Sequence, residues 1–169
     1  MRSIVKKSSG KSLVYVDESG FEPHTYRPYA WSPRGKKSHG NRWGRGGVRT
    51  NLIAAKRGKE LLAPVLYEGS TSAMWFNQWF KDHLLKALNS SSTIIMDNAA
   101  FHRKEEIHAM AEAAGHNVLF LPPYSPDFNP IEQDFAILKK IRQKMPLGTT
   151  IDQLLKNHGT LLNSLYMIH

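Results

Sequence analysis

The sequence predicts a mixed α/β domain: a five-stranded sheet, three antiparallel strands followed by two parallel ones, with helices on both faces. Three observations lead there. Short β-branched and aromatic runs come first, two of them joined by a tight turn signal. A long middle segment then switches to helical period. The remainder alternates short apolar runs with helical stretches, the pattern of α/β crossovers. At 169 residues, the chain is long enough for one well-buried core and too short for two ordinary ones.

The elements follow in order. Lys11–Asp17 reads as a strand ending at the turn-like Glu18-Ser19-Gly20. Pro23 to Gly47, with three prolines and several glycines, reads as loop. Arg49–Lys56 and Glu60–Tyr67 flank Arg57-Gly58-Lys59 as a hairpin, and Pro64 places a bulge or an edge in its second strand. From Thr71 to Ala87, Trp75, Phe76, Trp79, Phe80 and Leu84 form one helical stripe opposite Gln78, Lys81 and Asp82. Thr93–Asp97 is a short buried strand, Arg103–Ala114 a helix closed by Gly115, and Asn117–Leu121 another strand. A proline-rich loop over 122–130 leads into a helix from Ile131 to about Lys144, and Ile151–Leu165 closes the chain as a further helix. The expected division is a basic tail over 1–10, the main domain over 11–145, and a C-terminal helix within 146–169 that packs on the same domain.

Composition excludes several classes of function. There is no cysteine, so disulfides, thiolate zinc sites and cysteine nucleophiles are ruled out. No apolar run approaches the roughly 20 residues of a membrane span, and the basic N-terminus lacks the apolar core of a secretory signal; a soluble cytoplasmic protein is expected. The net charge of +9 is concentrated in one place. Between Pro23 and Lys59 there are ten basic residues and no acid, while the rest of the chain holds 13 basic residues against 14 acids. Within this block, Arg34, Lys36, Lys37, Arg42, Arg45 and Arg49, interleaved with tryptophan and glycine, suit a nucleic-acid backbone; a solvated basic loop is the plainer alternative.

Three acids stand where chemistry could use them. Asp17 and Asp97 each end an expected strand, and Glu132 opens the helix after the proline-rich loop. Carboxylates on neighbouring element ends can hold two divalent cations about 3.5–4 Å apart, and oxygen-only ligands select Mg²⁺ or Mn²⁺. Each acid also has a purely structural reading. Asp17 could start a turn, and Asp97-Asn98 could end a strand. Asn129-Pro130-Ile131-Glu132 fits an N-cap, a proline at the first helical position and a capping-box acid. Glu18 alternates to the other side of its strand from Asp17, and Asp134 turns away from Glu132 on its helix, so neither makes a good third ligand.

The wording around the acids is more specific than their spacing. Val16-Asp17-Glu18-Ser19-Gly20-Phe21, Met96-Asp97-Asn98-Ala99-Ala100-Phe101-His102 and the run Leu121-Pro122-Pro123-Tyr124-Ser125-Pro126-Asp127-Phe128-Asn129-Pro130-Ile131-Glu132 together resemble the DDE transposases, and within them the mariner-like bacterial insertion-sequence group. The 34 residues between Asp97 and Glu132 match that group's spacing, and the likeness covers most of the chain. The resemblance implies an RNase H-like fold and Mg²⁺-dependent DNA cleavage and strand transfer at element ends, with Mn²⁺ able to substitute and two ions bound. Asp17, Asp97 and Glu132 become the catalytic, metal-binding acids, with Asn98 and His102 as active-site support. It further implies double-stranded DNA as partner, a homodimer that handles two ends together, and a bacterial protein associated with the nucleoid.

Two departures from the group stand out. Its members carry helix-turn-helix modules ahead of the catalytic domain, whereas only ten residues precede the first strand here. The expectation is a catalytic half whose end-recognition modules reside in a separately encoded partner or frame. The aromatic residue three positions after the catalytic glutamate, often tryptophan, is Phe135. A stand-alone RNase H-like nuclease and a non-catalytic DNA-binding remnant that regulates an active transposase are the competing readings.

Overall fold

A computed structural model describes residues 12–23, 48–122 and 129–157. Its strands form one sheet in the order β3-β2-β1-β4-β5. The strands are β1 (Ser12–Phe21), β2 (Thr50–Arg57), β3 (Glu60–Glu68), β4 (Ser92–Met96) and β5 (Asn117–Phe120). The first three pair antiparallel, and β4 and β5 join parallel beside β1, as the sequence predicts. The β2–β3 turn places Gly58 at a φ of 59°, where a side chain would be strained.

The expected irregularity at Pro64 is present. Ile53 pairs with Val65 but Ala55 pairs with Leu62, so β3 carries an extra residue there, and Ala63 takes a φ of 48°. A proline cannot donate to the ladder, so the bulge falls where that loss costs least. The Ala63 carbonyl accepts instead from the Trp79 indole N–H at 3.0 Å.

Helix α1 crosses from β3 to β4. It begins after Ser72, whose hydroxyl accepts from the Trp75 N–H at 3.2 Å, and runs as Ala73–Trp79, a π-helical turn over Phe80–Leu84, and Leu85–Ala87. Helix α2 (Lys104–Ala113) crosses from β4 to β5 and ends at Gly115. Helix α3 (Ile131–Lys144) and a short helix α4 over 151–157 complete the described chain.

The sheet is covered on both faces because its central strands are apolar on both. Val14, Val16, Ile53 and Ala55 meet Phe76, Trp79, Phe80 and Leu84 of α1 and Ile107 and Ala111 of α2. On the other face, Phe21, Leu52 and Ala54 meet Ile131, Phe135 and Leu138 of α3 and Ile151 and Leu154 of α4. Phe135 thus packs beneath its helix.

One element differs from expectation. Strand β1 does not stop at Asp17 but continues through Glu18, Ser19 and Gly20, which pair with Ile53, Leu52 and Asn51. These residues have turn chemistry, and the β2 ladder overrides it. Asp17 therefore sits within a strand, paired with Ala54 of β2.

Candidate active site

Register brings the first two acids together. Strands β1 and β4 run parallel with Tyr15 opposite Ile95. Asp17 stands two positions later in β1 and Asp97 just beyond the end of β4, and both line one cavity. Asp17 also lies opposite Ala54, whose side chain packs with Ile131 and Phe135 of α3. Asp17 accordingly faces the helix whose first turn carries Glu132. Glu18, paired with Ile53, points to the α1 face, as alternation requires.

The charges of Asp97 and Glu132 both act on Asp17. Burial pushes the Asp17 carboxyl up from its ordinary value of 3.8 to about 7; its Oδ1 accepts from the Glu18 N–H at 2.8 Å, which opposes the shift, while the charges of Asp97, Glu132 and Glu18 add to it. Asp97 is open to solvent, its side chain 60% exposed, and Glu132 is exposed on α3. One of the three acids is thus buried and two are exposed; a cavity of about 230 Å³ is lined by Asp17 and Asp97 with Glu18, Phe76, Met96 and His102, and Glu132 stands outside its lining.

His102 is built into that cavity wall. Its ring is only 3% exposed and lies 4.4 Å from the Phe76 ring and 4.3 Å from that of Phe101, centroid to centroid. Its Nε2 is 3.1 Å from Asp97 Oδ1, and its Nδ1 is buried with no hydrogen-bond partner. A ring caged by aromatics in this way has one orientation, and it holds one Asp97 oxygen. Asn98 is exposed in the turn beside Asp97.

The donors suit a hard divalent cation in kind: all are carboxylate oxygens, and a bound dication would offset the burial that holds the Asp17 carboxyl up. Among the described residues, no group of three or more acidic or imidazole side chains is gathered closely enough to hold a metal ion unaided. The backbone therefore juxtaposes Asp17 and Asp97, and Glu132 stands within electrostatic reach.

The sequence of the chain from residue 12 to 154 matches the pattern of the DDE superfamily endonuclease family. The chain belongs to that family. No curated protein matches it. Among solved structures, it is similar to the mariner Mos1 paired end complex with Mg, at a TM-score of 0.73 and 17% identity, covering 96% of this chain and 52% of that one. It is also similar to a pre-cleavage Mos1 transpososome, at a TM-score of 0.68 and 17% identity over 99% of this chain and 53% of that one. The catalytic domain of Mos1 mariner transposase matches with a TM-score of 0.58 and 16% identity, over 99% of this chain and 76% of that one. The chain thus spans about half the length of the first two proteins. These likenesses concern fold, and they show the RNase H-like architecture that the motifs imply.

The expected DNA-contacting residues divide differently. Arg34, Lys36, Lys37, Arg42 and Arg45 lie outside the described residues. Arg49 lies just before β2, its guanidinium over Gly20, where an added Cβ would fall about 2 Å from it, and 3.7 Å from the Glu22 carboxylate. Among the described residues, no helix is long and apolar enough to cross a membrane.

Three groups near the acids escape a reading of sequence alone. Lys56 of β2 is buried and pairs with Asp134 of α3 at 2.6 Å. Asn129 does not cap α3 with its side chain; its Nδ2 donates to the Val16 carbonyl at 3.2 Å, next to Asp17. Glu18 Oε2 accepts from the Tyr67 hydroxyl at 3.0 Å and the Thr71 hydroxyl at 2.7 Å. The one signal for Lys56 is its place directly after the apolar Leu52–Ala55 run, within the same strand.

Proposed function

We propose that this chain is the catalytic domain of a mariner-like transposase, cutting DNA at the ends of an insertion element and joining the freed ends to a target. The observation that carries this reading is that Asp17 and Asp97 line one cavity and that the charges of Asp97 and Glu132 both act on the Asp17 carboxyl. Membership of the DDE endonuclease family agrees with it.

Asp17, Asp97 and Glu132 would together hold two Mg²⁺ ions, with Mn²⁺ able to replace them. When bound, such cations activate a water and neutralise charge building on the phosphate. The first reaction opens a phosphodiester with water: the P–O3′ bond breaks, the strand keeps a 3′-hydroxyl, and the water's oxygen stays on phosphorus. In the second, that 3′-hydroxyl attacks a target phosphodiester in line and releases a target 3′-hydroxyl. Asp17 supplies the fixed carboxylate, locked in the central strand and by the Glu18 N–H. Asp97 is the solvent-facing partner through which DNA approaches, and His102 orients it. Asn98 borders the same opening.

Double-stranded DNA is the partner, bound in part by the basic block from Arg34 to Arg49. The chain acts as a homodimer on two ends, in the cytoplasm of a bacterium at the nucleoid, with end recognition supplied by helix-turn-helix modules outside this segment. Plasmid nicking in Mn²⁺ tests the reading. Asp97→Asn is expected to reduce nicking by about 10²–10³-fold, the effect of losing several kcal/mol of charge stabilisation, while duplex binding stays within twofold. Undiminished nicking by Asp97→Asn would falsify the assignment.

A further inference from the structure

Glu132 is exposed on the first turn of α3, and its own side chain does not fix where it stands; the seating of that turn does. The turn has no side-chain cap, and its apolar contacts through Ile131, Phe135 and Leu138 are non-directional. Two directional links bracket it instead. Before it, Asn129 Nδ2 donates to the carbonyl of Val16, the residue preceding Asp17. After it, Lys56 Nζ meets Asp134 Oδ2 at 2.6 Å, with the side chains only 9% and 5% exposed. Lys56 stands opposite Tyr15 in the ladder, two positions from the Asp17–Ala54 pair. The two links therefore tie the residues flanking Glu132 to the same short stretch of sheet that carries Asp17.

A buried ion pair is a poor source of stability, since removing two charges from water offsets most of their attraction. Its use lies in direction: the charges must meet, whereas apolar side chains can slide. We propose that Lys56 and Asp134 are a positioning pair that seats the first turn of α3 on β1 and β2, so that Glu132 completes the divalent-cation site with Asp17 and Asp97. The inference rests on the metal-dependent reading above. Neither residue touches the cation; both act through Glu132.

The test is calorimetric titration of Mn²⁺ into the full chain, with thermal melting of the same samples. Lys56→Met/Asp134→Leu replaces the pair by apolar side chains of similar length, which preserves packing without direction. The double variant is expected to melt near wild type in the absence of metal and to bind Mn²⁺ about tenfold more weakly, as loss of an outer-shell partner of a metal ligand does. Lys56→Arg, which keeps the ion pair, is expected to retain affinity within threefold. Should the double variant not fold, Asn129→Ala removes the other link and is expected to weaken Mn²⁺ binding in the same direction. Wild-type affinity in the double variant, or in Asn129→Ala in its place, overturns the positioning role and leaves the metal site standing. Mn²⁺ binding to wild type that Asp17→Asn leaves unchanged refutes the metal site itself, and the positioning role with it.

Discussion

The two faces of the sheet are built from different materials. Under α1 and α2 lies a core of large apolar and aromatic side chains, with Phe76 against Trp79, Phe80, Phe101 and His102. Under α3 and α4 the apolar cluster is smaller, and the same face carries buried Lys56 and Asp134 and the acid Asp17. Burying charged groups costs free energy even when they are paired, so the face that carries them contributes less net stability per residue than the aromatic one. One side of β1 supplies most of the rigidity, with Glu18 and His102 as its polar groups, and the other carries Lys56, Asp134 and Asp17. Because both sides share a single strand, the acid gains the stiffness of the aromatic core without being buried in it.

The largest effect on stability is therefore expected on the first face. Phe76 is fully buried at the centre of the aromatic group, and Phe76→Ala should cost about 3–5 kcal/mol, through lost burial and the cavity left behind. Denaturant unfolding measures it. Because the Phe76 ring also abuts His102, the remaining folded protein should nick DNA more slowly than its folded fraction accounts for. A loss below about 1 kcal/mol would show that the first face is not the stabilising one.

The contrast also explains what the sequence disclosed. The aromatic stripe of α1 was legible because Trp75, Phe76, Trp79, Phe80 and Leu84 recur at helical spacing, a local property. Asp17 and Asp97 stood out as candidates through the wording around them, and in the structure the two line one cavity. The length of β1 was not, because Glu18-Ser19-Gly20 prefers turns in isolation and is held extended only by pairing with β2. Nor was the role of Asn129, whose local sequence fits a helix cap but whose amide reaches a distant strand instead. Lys56 is a basic residue in a basic block until Asp134 folds over it. Local patterns show in a sequence; long-range polar partners do not.

A smaller effect, and one of opposite sign, is expected for Asp17. Its carboxyl titrates near 7 in the fold against 3.8 ordinarily, so folding favours the protonated form. The stabilisation from this proton is fully present below about pH 4 and is lost as pH rises through about 7. Metal-free wild type should lose roughly 2–4 kcal/mol across that interval, and Asp17→Asn should remove that dependence and be the more stable of the two at pH 8. Melting in chelator across the pH range reads this directly. Mn²⁺ should invert the order at pH 8, raising the wild-type melting temperature and leaving the variant unmoved. An unchanged pH profile in the variant would mean that the charge on the second face is carried elsewhere.

The smallest effect sharpens the boundary between the faces. Glu18 is the neighbour of Asp17 in sequence, yet it projects to the α1 side, where Tyr67 and Thr71 hold its Oε2. Burial pushes the Tyr67 hydroxyl up to about 12, so it stays protonated and donates to the carboxylate. Tyr67→Phe removes one of two donors to that oxygen and should cost about 1 kcal/mol, the net worth of a single partly buried hydrogen bond. Nicking at saturating Mn²⁺ should stay within twofold of wild type, because Thr71 still restrains Glu18, and the Glu18 N–H that supports Asp17 belongs to the strand, not to the side chain. A tenfold loss of nicking with melting unchanged would place Glu18 in the reaction. Glu18 lines the same cavity as Asp17, Asp97 and His102, and the aromatic side of that cavity would then supply charge as well as rigidity.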